Sequence, residues 1–379
     1  MKINEWQRTA TYYAMFILCG AVSGMLGPSL VYLADIAQAS VSQISVLFMA
    51  RGIGNIVGAL VASRMYDRFA GHHYLLAMLV IVIAGLVGIP YASNLTVLVV
   101  IFFLLGASEV SLNTGGNLMM LWLHREKVGA YVTFLHLCYS AGAMIAPLIF
   151  VVSMGVSGDF GVGFWMIALY GLIFPLLLVR QKSPTFQASG TSESVASDKQ
   201  QSRFIAYLWV IFLYVSFEIT IAGWISTYGV LQGWHQDDAA ILSTWFFLAL
   251  SVGRLIVIPL QSWLAEKVCI YSFMAMSVGF SVLLIILPTD YLSLVALGLG
   301  LGCSALFPML FAFANGILTL TGRRTGIMFV CCGSGALVAP SLSGPIIGVL
   351  GVSAFPMLLL ALSLLLVWRW HALVRIALR

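Results

Sequence analysis

The stretch GNIVGALVASRMYDR (54–68) recurs without a gap as GRLIVIPLQSWLAEK (253–267), 199 residues further along the chain. The alignment pairs Gly54 with Gly253, Asp67 with Glu266, and Arg68 with Lys267. A shorter repeat follows, since GAMIAP (142–147) matches GALVAP (335–340). A unit that occurs twice in the same order predicts a chain built from two similar halves.

The composition shows which solvent surrounds these halves. Hydrophobic residues make up 61% of the chain, charged residues make up 8%, and the mean hydropathy is +1.04. A soluble domain carries about 25% charged residues, so this chain lacks the residues for a water-facing surface. The apolar runs are long and lack the alternating pattern of barrel strands, which favours helices. We therefore expect an all-α integral membrane protein surrounded by the lipid bilayer.

Apolar runs of about 20 residues, the length that crosses a bilayer, occur twelve times. They cover 11–33, 42–64, 73–92, 95–122, 127–153, 161–179, 204–229, 238–263, 267–287, 290–317, 324–350 and 353–371. The polar, Ser-rich segment between the sixth and seventh runs is typical of a flexible linker. We predict an N-terminal six-helix bundle (1–180), a cytoplasmic linker (181–203) and a C-terminal six-helix bundle (204–379), which are pseudo-symmetric halves.

The basic residues predict the orientation. All lysines and arginines except Arg51 and Arg254 fall in or beside the two termini and the connections after the even-numbered spans. The opposite face carries only acidic charges, at Asp35, Asp159, Asp237, Asp238 and Asp290. The positive-inside rule then places both termini in the cytoplasm. The expected location is the plasma membrane, which for a bacterial source is the inner membrane.

Five ionisable side chains lie inside the spans, away from their ends: Arg51, Glu109, His136, Glu218 and Arg254. A charge at the centre of a membrane helix costs about 2.5–3.5 kcal/mol on insertion scales. Such residues face the interior of the bundle, pair with one another, and mark an ion or substrate path. The alternative interpretation is a structural ion pair that locks two helices together.

Glu109 begins a polar stripe in SEVSLNTGGNLMM (108–120). Asn113 and Asn117 follow at intervals of four residues, so all three share one side of a helix. Lipid would leave each of these groups without a hydrogen-bond partner. The stripe therefore predicts a central, water-accessible site.

Further candidate site residues lie in the fifth and seventh spans. Trp224 and Tyr228 follow Glu218, and an aromatic ring beside hydroxyl groups can cover the apolar face of a sugar. Tyr228 could instead belong to an interfacial aromatic belt. His136 could relay protons or donate a hydrogen bond to substrate, and Tyr139 lies nearly one turn later.

The two membrane glutamates could act in either of two ways. A buried Glu without a permanent partner can bind and release a proton near neutral pH. A Glu paired with Arg51 or Arg254 stays ionised, and it could release its partner when a substrate or cation arrives. The sequence pattern is compatible with both a glutamate that binds a proton and a glutamate that stays paired with an arginine.

The segment SRMYDRFAGHH (63–73) resembles the loop motif of the major facilitator superfamily, usually written G-x-x-x-D-R-x-G-R-R. It keeps Asp67 and Arg68, and departs at Ser63, at one extra residue before Gly71, and at His72 and His73. The resemblance covers essentially the whole chain and implies the MFS fold. It also implies a cytoplasmic gate formed by Asp67 and Arg68, with repeat counterparts at Glu266 and Lys267.

Three segments resemble a smaller group of transporters within that superfamily. They are EVSLNTGGN (109–117), the pair Leu135–His136 with SAGAMIAP (140–147), and Glu218 with GWISTY (223–228). They look like the sodium-dependent glucose transporters and the related fucose–proton symporters. The resemblance implies symport of a hexose-like sugar, driven by protons or sodium through alternating access, with Glu109 as the leading coupling or sugar-binding candidate. Unlike the fucose–proton symporters, the chain has no acid in its first span (11–33).

Other functions find less support in the sequence. The chain has no phosphate-cradling Gly-Lys-Ser/Thr motif, no metal-ligand spacing among its six cysteines, and no catalytic trio. We therefore expect no enzyme activity, no cofactor besides the coupling ion, no nucleic-acid partner, and a monomer. The alternative to a sugar is another small solute, namely an organic anion held by Arg51 or Arg254, a metal-chelating small molecule or a drug, with export as one direction.

Overall fold

A computed structural model of the chain describes residues 3–69, 71–124, 128–184, 198–260, 265–318 and 322–377. These residues are helical almost throughout. The first half contains α1 (Ile3–Gly24), α2 (Leu26–Ile36), α3 (Val41–Ile44), α4 (Val46–Arg68), α5 (Gly71–Gly88), α6 (Leu95–His124), α7 (Val128–Ser157), α8 (Val162–Gly171) and α9 (Ile173–Val179). The second half contains α10 (Asp198–Leu231), α11 (Gln236–Leu260), α12 (Glu266–Ile286), α13 (Leu292–Ser304), α14 (Leu306–Ile317), α15 (Gly322–Leu350) and α16 (Ala354–Ala377).

These helices account for twelve crossings of the bilayer. Within the described ranges, eleven helical segments are long and apolar enough to span, and the twelfth is the pair α1 and α2, bent by 51°. The prediction of an all-α membrane protein with twelve spans is confirmed. Of the segment predicted as a linker, the last six residues (198–203) belong to α10, whereas 185–197 lie outside the described residues.

The repeated stretch lies where two helices of each half cross closely. Gly54 on α4 contacts the backbone of Phe103 on α6, and its repeat counterpart Gly253 on α11 contacts Ser304 at the end of α13. A Cβ atom at either position would collide with its neighbour, so both crossings need glycine. The repeat in the sequence therefore corresponds to the same helix crossing in both halves.

An even number of crossings brings the first and last described residues, Ile3 and Ala377, to the same side of the bundle, which we call the termini side. The halves contact each other near the opposite, or far, side. We call this contact the far-side seam; it is formed by Gly27 of α2 against Ala222 and Gly223 of α10, Phe48 against Trp224 and Gly223, and Ser42 and Ser45 against Gly348 and Gly344 of α15. Glycines allow the two backbones to approach closely here.

Candidate functional site

A cavity of about 250 Å³ lies between the two halves, on the termini side of the far-side seam. Gly27, Phe48 and Gly223 of the seam form part of its wall. The helices α1, α2, α4, α6 and α7 contribute to it from the first half, and α10, α11 and α15 contribute from the second half. Its charged and polar lining residues are Ser23, Arg51, Asn55, Glu109, Tyr139, Ser140, Glu218 and Arg254.

The carboxylate of Glu109 has a partner for each of its oxygens. Arg51 donates from Nη2 to Oε2, and the Tyr139 hydroxyl donates to Oε1 at 3.1 Å. Arg51 also donates from Nη1 to the carbonyl oxygen of Ser23 at 2.9 Å. The side chains of Arg51 and Glu109 are 13% and 9% exposed. This buried network connects α4, α6, α7 and α1, and its charge-assisted hydrogen bonds fix the carboxylate in one position.

The pair formed by Glu218 and Arg254 is looser. Arg254 Nη2 lies 3.9 Å from Glu218 Oε1, and the side chains are 34% and 15% exposed for Arg254 and Glu218, respectively. Arg254 also donates from Nη1 to the hydroxyl of Ser140 at 2.9 Å and from Nε to the carbonyl oxygen of Ser304 at 3.3 Å. Because Ser140 belongs to the first half, Arg254 connects the two halves across the cavity.

Asn55 is a cavity residue that the sequence analysis missed. It lies one turn after Arg51 on α4, and its Oδ1 is buried without a hydrogen-bond partner among the described residues. A buried, unpaired amide oxygen costs free energy unless a ligand or water satisfies it. The repeat contained a signal for Asn55, since the 199-residue offset aligns this residue with Arg254.

The two asparagines of the predicted stripe lie outside the cavity lining. Asn117 Nδ2 donates to Asn113, to the carbonyl oxygen at 2.9 Å and to Oδ1 at 3.1 Å. An α-helix turns about 100° per residue, so steps of four residues rotate the stripe by about 40° each time. The stripe therefore starts at the cavity with Glu109 and leaves it further along α6.

Trp224 and Tyr228 also lie outside the cavity lining. Trp224 is fully buried, donates to the carbonyl oxygen of Pro340 at 2.9 Å, and stacks behind Phe48 with ring centroids 5.9 Å apart. The Tyr228 hydroxyl accepts a hydrogen bond from Gln232 at 2.9 Å. Six residues of helix place Trp224 about 240° around α10 from Glu218, which points it away from the cavity.

His136 lies on α7, one turn closer to the termini side than Ser140. Its side chain is exposed, and its ring meets that of Phe16 edge-on, with centroids 6.0 Å apart. It lies outside the cavity lining. Of the ten predicted site residues within the spans, the cavity brings together five: Arg51, Glu109, Tyr139, Glu218 and Arg254.

The predicted cytoplasmic gate is only partly described. Arg68 is exposed at the end of α4, and Lys267 Nζ lies 6.0 Å from the ring centroid of Phe313. Glu266 opens α12, and the side chain of Asp67 lies outside what the structure describes. Arg68, Glu266 and Lys267 take part in neither of the ion pairs of the cavity, Arg51–Glu109 and Arg254–Glu218, so the gate stays a prediction.

Comparison with known proteins identifies the architecture. The sequence profile of the Major Facilitator Superfamily matches residues 12–340. The structure is similar to that of the nucleoside transporter NupG, with a TM-score of 0.76 and 11% identity over 98% of this chain and 99% of that one. It is also similar to a D-xylose–proton symporter, with a TM-score of 0.75 and 11% identity over 96% and 97% of the two chains.

Curated relatives share the sequence over most of its length. The sodium-dependent glucose transporter 1 of Danio rerio is 27% identical over 94% of this chain and 66% of its own length. The sodium-dependent glucose transporter 1A of Mus musculus is 23% identical over 88% of both chains. The chain thus spans about two thirds of the first of these relatives and most of the second.

Proposed function

We propose that this chain, which belongs to the Major Facilitator Superfamily, is a cation-coupled symporter that carries a hexose-like sugar by alternating access. Membership makes it a multi-pass membrane transporter and not an enzyme. The sugar and the coupling ion are the parts we propose. The observation that carries the proposal is a cavity between the halves that combines carboxylate–arginine pairs with uncharged hydrogen-bonding groups.

The lining of the cavity suits a sugar. Phe48 and Phe247 offer aromatic surface of the kind that packs against the C–H face of a pyranose ring. Asn55, Ser140 and Arg254 supply acceptors and donors for hydroxyl groups. The names of the relatives, sodium-dependent glucose transporters, and of the structural neighbour, a D-xylose–proton symporter, support the same class of substrate.

The two glutamates are not equivalent candidates for coupling. The sequence favoured Glu109, but both of its oxygens are already bound, by Arg51 and Tyr139. Glu218 is held more loosely: the nearest arginine nitrogen is 3.9 Å from its carboxylate, and the Tyr214 hydroxyl, one turn earlier on α10, lies within hydrogen-bonding reach. We therefore assign binding of the coupling cation, a proton or sodium, to Glu218. Neutralising Glu218 removes the attraction that holds Arg254 near it, and Arg254, which already bonds to Ser140 of the opposite half, can then bind the substrate.

The way the halves contact each other supports alternating access. The far-side seam closes the cavity on the side away from the termini. We propose that this is the conformation that releases substrate on the termini side, which the positive-inside rule predicts to be cytoplasmic. The opposite conformation, in which the cavity opens to the far side, requires the two halves to separate at the seam.

The proposal can be tested with purified protein in liposomes adsorbed on a solid-supported membrane. Glucose, galactose, fucose and xylose are applied by rapid exchange at constant pH, with and without sodium, and charge movement is recorded. We expect a sugar-dependent inward current that needs either sodium or acidic pH. One cation per sugar supports about a fifty-fold sugar gradient at 100 mV, so wild-type liposomes should accumulate sugar.

Glu218→Gln is the matched variant for this experiment. It should exchange labelled sugar across the membrane at equilibrium but give neither current nor accumulation. Current and accumulation at wild-type levels in Glu218→Gln would contradict the assignment of coupling to Glu218. No response to any of the sugars, in protein that elutes as a single folded species, would contradict the sugar substrate.

An organic anion is the second candidate substrate, and one observation favours it. Arg254 is the most exposed charged group of the two pairs, at 34%, and a cavity guanidinium can bind a carboxylate in bidentate geometry. The same liposomes, given small carboxylates in place of sugars, distinguish the two candidates. A current that depends on carboxylates and is absent with sugars would establish this alternative.

A further inference from the structure

The outer surface of the second half carries an aromatic and basic cluster where α10 and α16 run side by side. Arg369 of α16 lies over two indole rings, with its guanidinium carbon 5.3 Å from the ring centroid of Trp209 and 4.4 Å from that of Trp368. Closer to the termini side, Arg203 of α10 donates to the carbonyl oxygen of Ala377 at 3.3 Å. This contact fixes the two helices next to each other below the cluster.

The cluster faces the surroundings of the bundle. The side chains of Trp209 and Trp368 are 48% and 58% exposed. Arg369 precedes the last residue of α16, Ala377, by eight residues, which corresponds to about 12 Å of helix. It therefore lies inside the last apolar run (353–371), close to the end of that run. This depth corresponds to the boundary between hydrocarbon and headgroups, where tryptophans are enriched in membrane proteins.

Arg369 has no anionic partner in the described part of the protein. The ion pairs of the cavity involve Arg51 and Arg254, and none of the hydrogen bonds among described residues uses the Arg369 side chain. Stacking on the rings leaves the five N–H donors of a guanidinium unused. A guanidinium at this depth reaches the headgroup level, and the anion present at that level of a bilayer is the phosphate of a lipid.

We propose that Arg369, Trp209 and Trp368 form a binding site for the phosphate group of a membrane phospholipid in the leaflet on the termini side. The planar guanidinium matches two phosphate oxygens, and the indoles hold it in place by cation–π contact. The site prefers anionic phospholipids, because a zwitterionic headgroup adds a positive charge that the arginine repels. This inference does not depend on which solute the cavity carries.

Such a lipid would join α10 to α16 at the surface of the bundle. The helix α10 also carries Glu218 on the cavity side, so the lipid binds the outer surface of a helix whose inner surface contributes to transport. Bound lipid should therefore stabilise the second half.

Native mass spectrometry of the full chain in detergent tests the proposal. Phosphatidylglycerol and phosphatidylcholine with identical acyl chains are titrated separately, and lipid-bound species are counted. The wild type should bind phosphatidylglycerol more tightly than phosphatidylcholine. Arg369→Gln should weaken binding of phosphatidylglycerol at this site about fivefold, which corresponds to about 1 kcal/mol, as expected for the loss of one hydrogen bond to the phosphate.

Two further variants make the result specific. Arg375→Gln removes an exposed charge from the same helix, six residues later, and should bind phosphatidylglycerol as the wild type does. Trp209→Leu alters the site from α10 and should also weaken lipid binding. Equal binding of phosphatidylglycerol by the wild type, Arg369→Gln and Trp209→Leu would overturn the proposal. Inorganic phosphate that displaces the bound lipid at equal concentration would overturn the assignment to a lipid, because it would show a site for free phosphate.

Discussion

The two carboxylates of the cavity have different surroundings, and their loss should have different consequences. Glu109 lies in a buried network with Arg51 and Tyr139, whereas Glu218 faces an arginine that is about one third exposed. Removing one member of a buried pair leaves the other charge without compensation, which costs more than the pair itself contributes.

We predict that Glu109→Gln destabilises the protein by about 3 kcal/mol, the cost of an uncompensated buried arginine. Glu218→Gln should destabilise it much less, because Arg254 keeps its hydrogen bonds to Ser140 and Ser304 and part of its contact with water. Thermal unfolding in detergent, followed by the loss of monodisperse protein, measures both variants. Equal unfolding temperatures for the two variants would show that the Arg51 network has no special structural role.

We also predict that Asn55→Ala weakens sugar binding. The unpaired Oδ1 of Asn55 can accept a hydrogen bond from a sugar hydroxyl, and loss of one such bond costs about 0.5–1.5 kcal/mol, or about fivefold in affinity. Isothermal titration of purified protein with the transported sugar measures the change. Asn113→Ala is the control, since Asn113 bonds to Asn117 outside the cavity lining. Affinity that falls in Asn113→Ala but not in Asn55→Ala would reverse these roles.

The sequence predicts charged site residues better than uncharged ones. An ionisable side chain within an apolar run is costly, so five such residues could be selected without a structure. Four of them, Arg51, Glu109, Glu218 and Arg254, line the cavity, whereas His136 does not. An amide costs less, and Asn55 did not stand out. Trp224 was selected by residue type. Whether its side chain faces the cavity depends on which side of α10 faces the cavity, and an almost wholly apolar segment carries no pattern of polar residues that would predict this.

At the scale of helices, the far-side seam depends on glycines at the crossing of α2 and α10. A Cβ atom at Gly27 would collide with the carbonyl oxygen of Ala222 and approach Gly223. The two backbones must therefore separate if a larger side chain is introduced. Gly155, near the end of α7, has no atom within 4 Å of the position that a Cβ would occupy, so it tolerates such a change.

We predict that Gly27→Leu opens the cavity toward the far side. Overpacking costs about 1–3 kcal/mol, enough to change the balance of two conformations about tenfold. The rate at which a membrane-impermeant maleimide labels Asn55→Cys from the far side measures the opening, in a background with the six native cysteines replaced. Gly27→Leu should label faster than its parent, and Gly155→Leu should label at the parent rate. Slow labelling in both would mean that the seam does not control access.

Hydropathy predicts where helices cross the membrane but not where they bend. Apolar runs identified all twelve crossings, because about 20 residues contribute to each signal. The 51° bend between α1 and α2 and the breaks between α8 and α9 and between α13 and α14 involve one residue each. A single residue hardly changes an average over a whole span, so these bends were not predicted.

At the scale of the whole molecule, the internal repeat predicts two halves but not how they contact each other. The offset of 199 residues identifies equivalent positions, such as Gly54 and Gly253. The halves contact each other through α2 with α10, α4 with α15, and α7 with α11. The repeat aligns α4 with α11 and α7 with α15, so the last two contacts are equivalent, but an alignment does not say which surfaces meet. The hydrogen bond from Arg254 to Ser140 across the cavity likewise has no counterpart in the alignment.

The make-up of the far-side seam also determines which physical conditions favour its separation. Its described contacts are aromatic stacking and close approach of glycine backbones, without an ion pair. Hydration of the apolar faces during opening raises the heat capacity, and hydrophobic attraction weakens on cooling. Low temperature should therefore favour the conformation open to the far side, whereas ionic strength should have little influence on that equilibrium.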